Sequence, residues 1–225
     1  MNTVIRTVIN GEPTLKRTCM RDRIRDVLVA RILDGTYPAG MQLKELTLAR
    51  EFNVSQAPIR EALRELEGSG LVTSERYRGT HVRGADLDEM RQSYELRATL
   101  EVRAVELAIP LNDSVVEYLE TQLDEMAAGV EQGDPEHYID AALRFHRRLI
   151  DASGNRVFVT VWDSLHFDVR GRIALRRLVD KGPGLAPMLD MHRELIDKAR
   201  AGDMAGAASR VRAIFARVAD AFSPE

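Results

Sequence analysis

The chain has 225 residues, with 32 Lys+Arg against 35 Asp+Glu, 44% hydrophobic residues and 5% aromatics. That length suits one large domain or two modest ones, and an aromatic-poor mix rich in Ala, Leu, Val and Arg favours packed helices over sheets. No stretch approaches the length of a membrane span, residues 1–17 lack a signal peptide's apolar run, and Cys19, the single cysteine, excludes an internal disulfide; a cytoplasmic protein is expected.

Residues 1–17 read as a flexible N-terminal arm. Ile24, Val27, Leu28 and Ile32 recur at helical spacing and predict a helix over 20–33, stopped by Asp34-Gly35 and followed by a turn at Tyr37-Pro38-Ala39-Gly40. A short helix is expected over 43–51, then a turn at Asn53-Val54. Ser55 is expected to cap a third helix over 56–68, with Pro58 in its first turn. Leu46, Leu48, Ala49, Val54, Ile59, Leu63 and Leu66 would form a small core. The β-prone trios 71–73 and 80–82, joined by a polar stretch ending in Gly79, predict a hairpin. Gly84-Ala85 reads as a hinge.

From residue 86 the pattern is helical, with helices expected near 86–109, 113–131, 135–152, 155–179, 185–201 and 203–221, and with caps at Asp113, Asp134 and Asp203. The fold class is therefore mainly α. A winged helix-turn-helix over 18–84 precedes an antiparallel all-helical bundle of about six helices over 85–225.

Charge divides the same way. Residues 1–84 carry 14 Lys+Arg and 10 Asp+Glu, whereas residues 85–225 carry 18 and 25. A basic head on an acidic body suits DNA, because phosphate attraction is local and screened. In such a head the second short helix enters the major groove. Arg60 suits guanine or a phosphate. Gln56 suits adenine or a backbone oxygen, and Ala57 a thymine methyl. Lys44 and Ser55 are candidates for phosphate contact, and Arg64 is a further candidate for contact with DNA. Thr80 and His81, beside Gly79, are candidates for the wing tip.

The run from Leu43 to Glu67, with Val54-Ser55-Gln56-Ala57-Pro58-Ile59-Arg60-Glu61-Ala62-Leu63 at its centre and followed by Gly70-Leu71-Val72 and Gly79-Thr80-His81-Val82, resembles the GntR family of bacterial regulators. The family pattern usually has Arg where Gln56 stands and often Arg where Leu46 stands. Those departures shift base preference and weaken affinity and its salt dependence. The remainder resembles the FCD effector domain of the FadR subfamily, on Tyr94-Glu95-Leu96-Arg97 with Leu100-Glu101, on Phe145-His146-Arg147, and on His192-Arg193-Glu194-Leu195-Ile196. The resemblance implies a homodimer, a double-stranded DNA operator and a buried pocket for a small carboxylate effector.

Many members of that family hold a divalent metal with one Asp and three His. His146 and His192 match two of those positions, while Ala142 and Ile214 stand at the other two, so a metal cofactor is doubtful. Arg97, Arg144 and Arg172 join His146 and His192 as candidates to hold an acidic effector, since guanidinium offers paired donors to carboxylate. Phe158, Trp162 and Phe167 would shape an apolar pocket or simply form core. A repressor is the expected function. Its rivals are a metal-assisted hydrolase using His146 and His192, which lacks any nucleophile or zinc-protease motif, and a ligand-independent architectural DNA binder.

Overall fold

The computed structural model describes residues 7–9, 12–14, 20–83, 87–181 and 184–222. Within the N-terminal arm, β1 (Thr7–Ile9) and β2 (Glu12–Thr14) pair antiparallel, Thr7 opposite Thr14. Cys19 and the expected hinge at Gly84-Ala85 lie outside the described residues. The chain divides into two compact units, residues 1–67 with 71–83, and residues 68–70 with 84–225.

The first unit holds α1 (Met20–Leu33), β3 (Gln42–Leu43), α2 (Glu45–Glu51), α3 (Gln56–Gly68), β4 (Val72–Glu75) and β5 (Gly79–Val82). The three strands form an antiparallel sheet in the order β3-β5-β4. Leu43 was expected in the second helix. It pairs with Thr80 instead, and the helix starts at Glu45. Ile24 and Leu28 of α1, Leu48 of α2, Ile59, Leu63 and Leu66 of α3, and Val72 and Val82 of the strands make the core. Leu46 is not part of it. It is 50% exposed, because a helix beginning at Glu45 turns Leu48 and Ala49 inward and leaves Leu46 on the outer face. Val54 is only partly buried. Arg31 ties the turn down, with its guanidinium on Tyr37 and Glu51 and over the Phe52 ring.

The second unit holds seven helices among the described residues: α4 (Leu87–Ala108), α5 (Asp113–Gln132), α6 (Pro135–Ala152), α7 (Arg156–Ser164), α8 (Phe167–Lys181), α9 (Ala186–Arg200) and α10 (Met204–Asp220). Asp134 accepts from the amides of Glu136 and His137, and Asp203 from that of Gly206. At the start of α5 the cap is Asn112, accepting from the Val115 amide, with Asp113 displaced into the first turn. There a carboxylate faces the positive end of the helix dipole. α5 packs along α6 and α9, and α10 along α4 and α9.

The stretch expected as one helix over 155–179 is two. The break falls at Leu165-His166, where His166 takes φ 50°. On a continuous helix Trp162 and Phe167, five residues apart, would be separated by about 140° around the axis. The break lets both reach one cluster with Ala104 and Ile150, their ring centroids 5.2 Å apart.

Candidate functional site

Two regions carry chemistry, one in each unit. In the first, α3 is amphipathic: Ile59, Ala62, Leu63 and Leu66 face the core, and the turn bearing Ser55, Gln56, Ala57, Arg60 and Arg64 faces solvent. Lys44, just before α2, is exposed as well. The Ser55 hydroxyl makes no hydrogen bond among the described residues, contrary to the expected cap. Pro58 at N3 removes one of the two amides that a capping hydroxyl can take, leaving only that of Ala57. The hydroxyl is left free for an external acceptor.

Arg60 is half exposed and forks onto Glu45, with Nε 3.1 Å from Oε1 and Nη2 2.8 Å from Oε2. That hydrogen-bonded guanidinium holds the Glu45 carboxyl below its usual range. A carboxylate thus occupies the bidentate fork that a guanine edge or phosphate would use.

Thr80 and His81 do not sit at the wing tip. They are partly buried in β5, Thr80 opposite Leu43 and Ser74, and His81 opposite Gln42 and Thr73. The tip is Arg76-Tyr77-Arg78. Tyr77 there has φ 70° and is 92% exposed, and the Arg76 guanidinium lies 5.1 Å from its ring centroid. The two arginines were missed because the glycine was read as the apex, whereas Gly79 opens the return strand.

In the second unit, four polar side chains meet in the bundle interior. Arg97 and Glu101 lie one turn apart on α4, His146 on α6 and His192 on α9, with exposures of 2%, 0%, 4% and 0%. Arg97 Nε donates to Glu101 Oε1 at 2.8 Å, and His146 Nδ1 meets Glu101 Oε2 at 2.5 Å. His192 Nδ1 donates to the Met188 carbonyl at 2.7 Å, and the two Nε2 atoms face each other at 3.2 Å. Trp162 and Phe215 flank the Arg97 guanidinium at 4.6 and 5.0 Å.

These contacts constrain the protons. His192 spends its Nδ1 proton on a carbonyl, so its Nε2 carries a lone pair when the ring is neutral. His146 gives its Nδ1 proton to Glu101. The Nε2–Nε2 contact is then a hydrogen bond only if His146 holds a proton on both nitrogens. Burial, then the His146 charge, lowers His192 to about 3, which keeps it neutral. Burial alone would raise Glu101, but the charges of His146 and Arg97 outweigh it and hold the carboxyl low. Glu101 is thus ionised between the Arg97 guanidinium and the His146 ring.

Ala142 and Ile214 line the same cavity as His146 and His192. The residues therefore do not fit the four-donor metal set of the resembling family, since two of its positions present only alkyl groups and Glu101 is engaged by Arg97 and His146. No group of three or more His, Cys, Asp or Glu among the described residues is arranged to hold a metal. The cavity itself measures about 10 Å³, room for a single water at most.

Arg144 and Arg172 are placed elsewhere. Arg144 donates to Gln122 at 2.6 Å, and Arg172 pairs with Glu136 and Asp140 on α6. Phe158, Trp162 and Phe167 belong to the core cluster. Glu101 was read from the sequence only as part of the Leu100-Glu101 landmark and not as a member of the site; its position four residues after Arg97, an ion-pair spacing on a helix, was the available signal.

Residues 20–82 match the family model described as bacterial regulatory proteins, gntR family, and residues 92–217 match that of the FCD domain. The chain is 30% identical over 189 residues to a Paenarthrobacter nicotinovorans protein named "Probable D-xylose utilization operon transcriptional repressor", covering 84% of this chain and 82% of the relative. It is 28% identical over 187 residues to the gluconate operon transcriptional repressor of Bacillus subtilis (strain 168), covering 81% and 76%. A crystal structure of a GntR transcriptional regulator from Rhodococcus sp. RHA1 shares the fold, with a TM-score of 0.72 at 22% identity over 90% of this chain and 96% of that one. No helix among the described residues is long and apolar enough to cross a membrane. A helix-turn-helix with a winged sheet, a helical bundle with buried charge, and matches that span both units place the chain in the GntR family of bacterial transcription regulators, among the members that carry an FCD domain.

Proposed function

We propose that this protein is a cytoplasmic homodimeric repressor whose hold on its operator changes when a small carboxylate binds inside the bundle. Residues 18–84 are its DNA-reading head and residues 85–225 its sensing and dimerising body. Arg60, Gln56 and Ala57 read base edges, Lys44, Ser55 and Arg64 engage phosphates, and the wing, with Thr80 and His81 in its strand, presents Arg76 and Arg78. Two heads grip half-sites about one helical turn apart.

The observation that carries the sensing half is the buried Arg97–Glu101–His146–His192 cluster. Burying four polar groups costs stability that well-packed apolar residues would not, so a role beyond packing explains their presence. The buried Arg97 guanidinium offers paired donors of the kind that a carboxylate accepts. One relative is named for the gluconate operon, and gluconate is a carboxylate, which fits such a metabolite as signal. Footprinting of the region upstream of the chain's own gene, repeated with a panel of carboxylates, tests the proposal. Protection of a pseudo-palindrome that fades with one of them is expected, and no protected site under any condition sinks it.

One observation favours a second reading, a ligand-independent architectural DNA binder: the cavity at the cluster is closed to about 10 Å³. A melting temperature and operator affinity unmoved by every carboxylate in the panel would select it.

A further inference from the structure

The wing tip holds a side chain that the fold does not use. Tyr77 takes φ 70° in the hairpin turn, a left-handed backbone that a bulky residue adopts only under strain. It gains no burial in return. Tyr77 is 92% exposed, whereas Met20, Val27, Met41 and Leu46 of the same unit are at least half covered. The turn is nevertheless firmly built. The Arg78 amide donates to the Glu75 carbonyl at 3.1 Å, and the Arg78 carbonyl accepts from Gln42 Nε2 at 2.7 Å. Gly79 makes room for that brace, since a Cβ there would press against Gln42 Nε2 at 3.0 Å. Two arginines flank the ring. The Arg76 guanidinium lies 5.1 Å from its centroid, and that of Arg78 pairs with Glu75 at 3.1 Å.

We propose that Tyr77 is a wedge that opens a base step in the minor groove beside each half-site. This rests on the DNA-binding reading above and deepens it, adding a specificity residue that makes no hydrogen bond to a base edge. A solvent-facing aromatic on a braced turn is held in place before any partner arrives, so stacking it requires little further ordering. Every base offers a π-face to such a ring. The Arg76 guanidinium lies against one face of the ring, and the other face is the one that can stack. In the DNA-binding reading α3 takes the major groove, which leaves the wing the adjacent minor groove. There phosphates close in on both sides and suit two flanking arginines. Stacked bases admit a ring only by unstacking, and pyrimidine–purine steps unstack most easily. The head is therefore expected to favour TA or CA/TG at a position it does not hydrogen-bond, and to bend the duplex there.

Selection of duplexes from a library with a randomised core, by the full-length wild type, Tyr77→Phe and Tyr77→Gly, tests this. The wild type and Tyr77→Phe are expected to enrich a pyrimidine–purine step at one fixed distance outside each half-site, and Tyr77→Gly to enrich the half-sites without it. On the duplex that the wild type selects, Tyr77→Gly is expected to bind about tenfold more weakly and, by circular-permutation electrophoresis, to bend it less. Its melting temperature is expected to be no lower, because glycine adopts a positive φ freely. Three outcomes overturn the wedge while leaving the operator-binding reading standing. They are wild-type half-sites that lack the flanking step, the same step and bend with Tyr77→Gly, and loss of the step with Tyr77→Phe, which assigns it to the hydroxyl. A lower melting temperature for Tyr77→Gly, or a changed molar mass in light scattering, shows that the ring serves the fold or a second copy of the chain, and overturns the proposal as well. Absence of any enriched half-site with the wild type sinks both readings.

Discussion

Arg60 shows how one side chain can be held ready and restrained at once. Its fork on Glu45 is exposed, so the pair contributes little to folding, yet DNA must displace the carboxylate before the guanidinium can bind. Arg60→Ala is expected to weaken operator binding about 10- to 100-fold with an unchanged melting temperature. Glu45→Gln is expected to strengthen binding, most visibly on non-specific DNA. Fluorescence anisotropy on operator and scrambled duplexes measures both. In the bundle, His192 stays neutral in the folded protein down to about pH 3, whereas in the unfolded chain it protonates near its ordinary value of 6.5. Between those values the unfolded chain binds the extra proton, so stability falls as pH falls, by about 1.4 kcal/mol per pH unit. Glu101 has the opposite behaviour. Its lowered value adds stability above the unfolded carboxyl range, and that is lost only as pH drops through the folded value, so it does not drive the change between pH 6.5 and 5. Urea denaturation at pH 7.5, 6 and 5 tests this, and His192→Leu is expected to flatten the slope. Arg97, His146 and His192 were legible in the sequence because each sits in a landmark of the family pattern. Arg144 and Arg172 were misplaced because an arginine on a helix has the same spacing whether it faces a pocket or a neighbouring carboxylate, and here Gln122, Glu136 and Asp140 claim them.

At the scale of elements, α5 approaches the start of α6 closely at Gly129. A Cβ on Gly129 would lie 2.7 Å from the Tyr138 amide nitrogen and 3.0 Å from the Asp134 carbonyl, both backbone atoms that cannot swing away. Gly129→Ala is expected to cost about 1–3 kcal/mol through overpacking, despite the better helix propensity of alanine, and chemical denaturation measures it. Asp134→Ala, which removes a cap that accepts from two amides, is expected to cost about 1 kcal/mol. Most helix boundaries were readable from glycines, prolines and caps. The α7–α8 break was not, because Ser164-Leu165-His166 contains neither glycine nor proline and the apolar pattern runs through it. Packing decides that boundary, through the joint burial of Trp162 and Phe167. The start of α2 was misread for a related reason: Leu43 satisfies helical spacing equally well, and only pairing with the distant Thr80 assigns it to a strand.

For the molecule as a whole, the two units differ in how their charges meet water. The head presents cations on its surface, and the bundle, besides its surface ion pairs, hides Arg97 among rings. Operator affinity is therefore expected to fall steeply as salt rises from 50 to 200 mM, about tenfold or more, while affinity for a carboxylate in the bundle changes little, because buried pairs are weakly screened. Parallel DNA and carboxylate titrations over the same salt series check this contrast. Net composition concealed it. The chain's overall charge of -3 is the sum of a basic segment and an acidic one, and only dividing the sequence at the wing reveals the partner that each half suits.

Trp162 is the only tryptophan in the chain, it is 3% exposed, and the Arg97 guanidinium lies 4.6 Å from its ring. A cation against an indole face perturbs the ring's electronic states. The protein consequently carries a built-in optical probe at the cluster's edge. Any anion drawing that guanidinium away will alter the intrinsic emission, so occupancy of the interior can be followed in unlabelled protein while the head is bound to DNA.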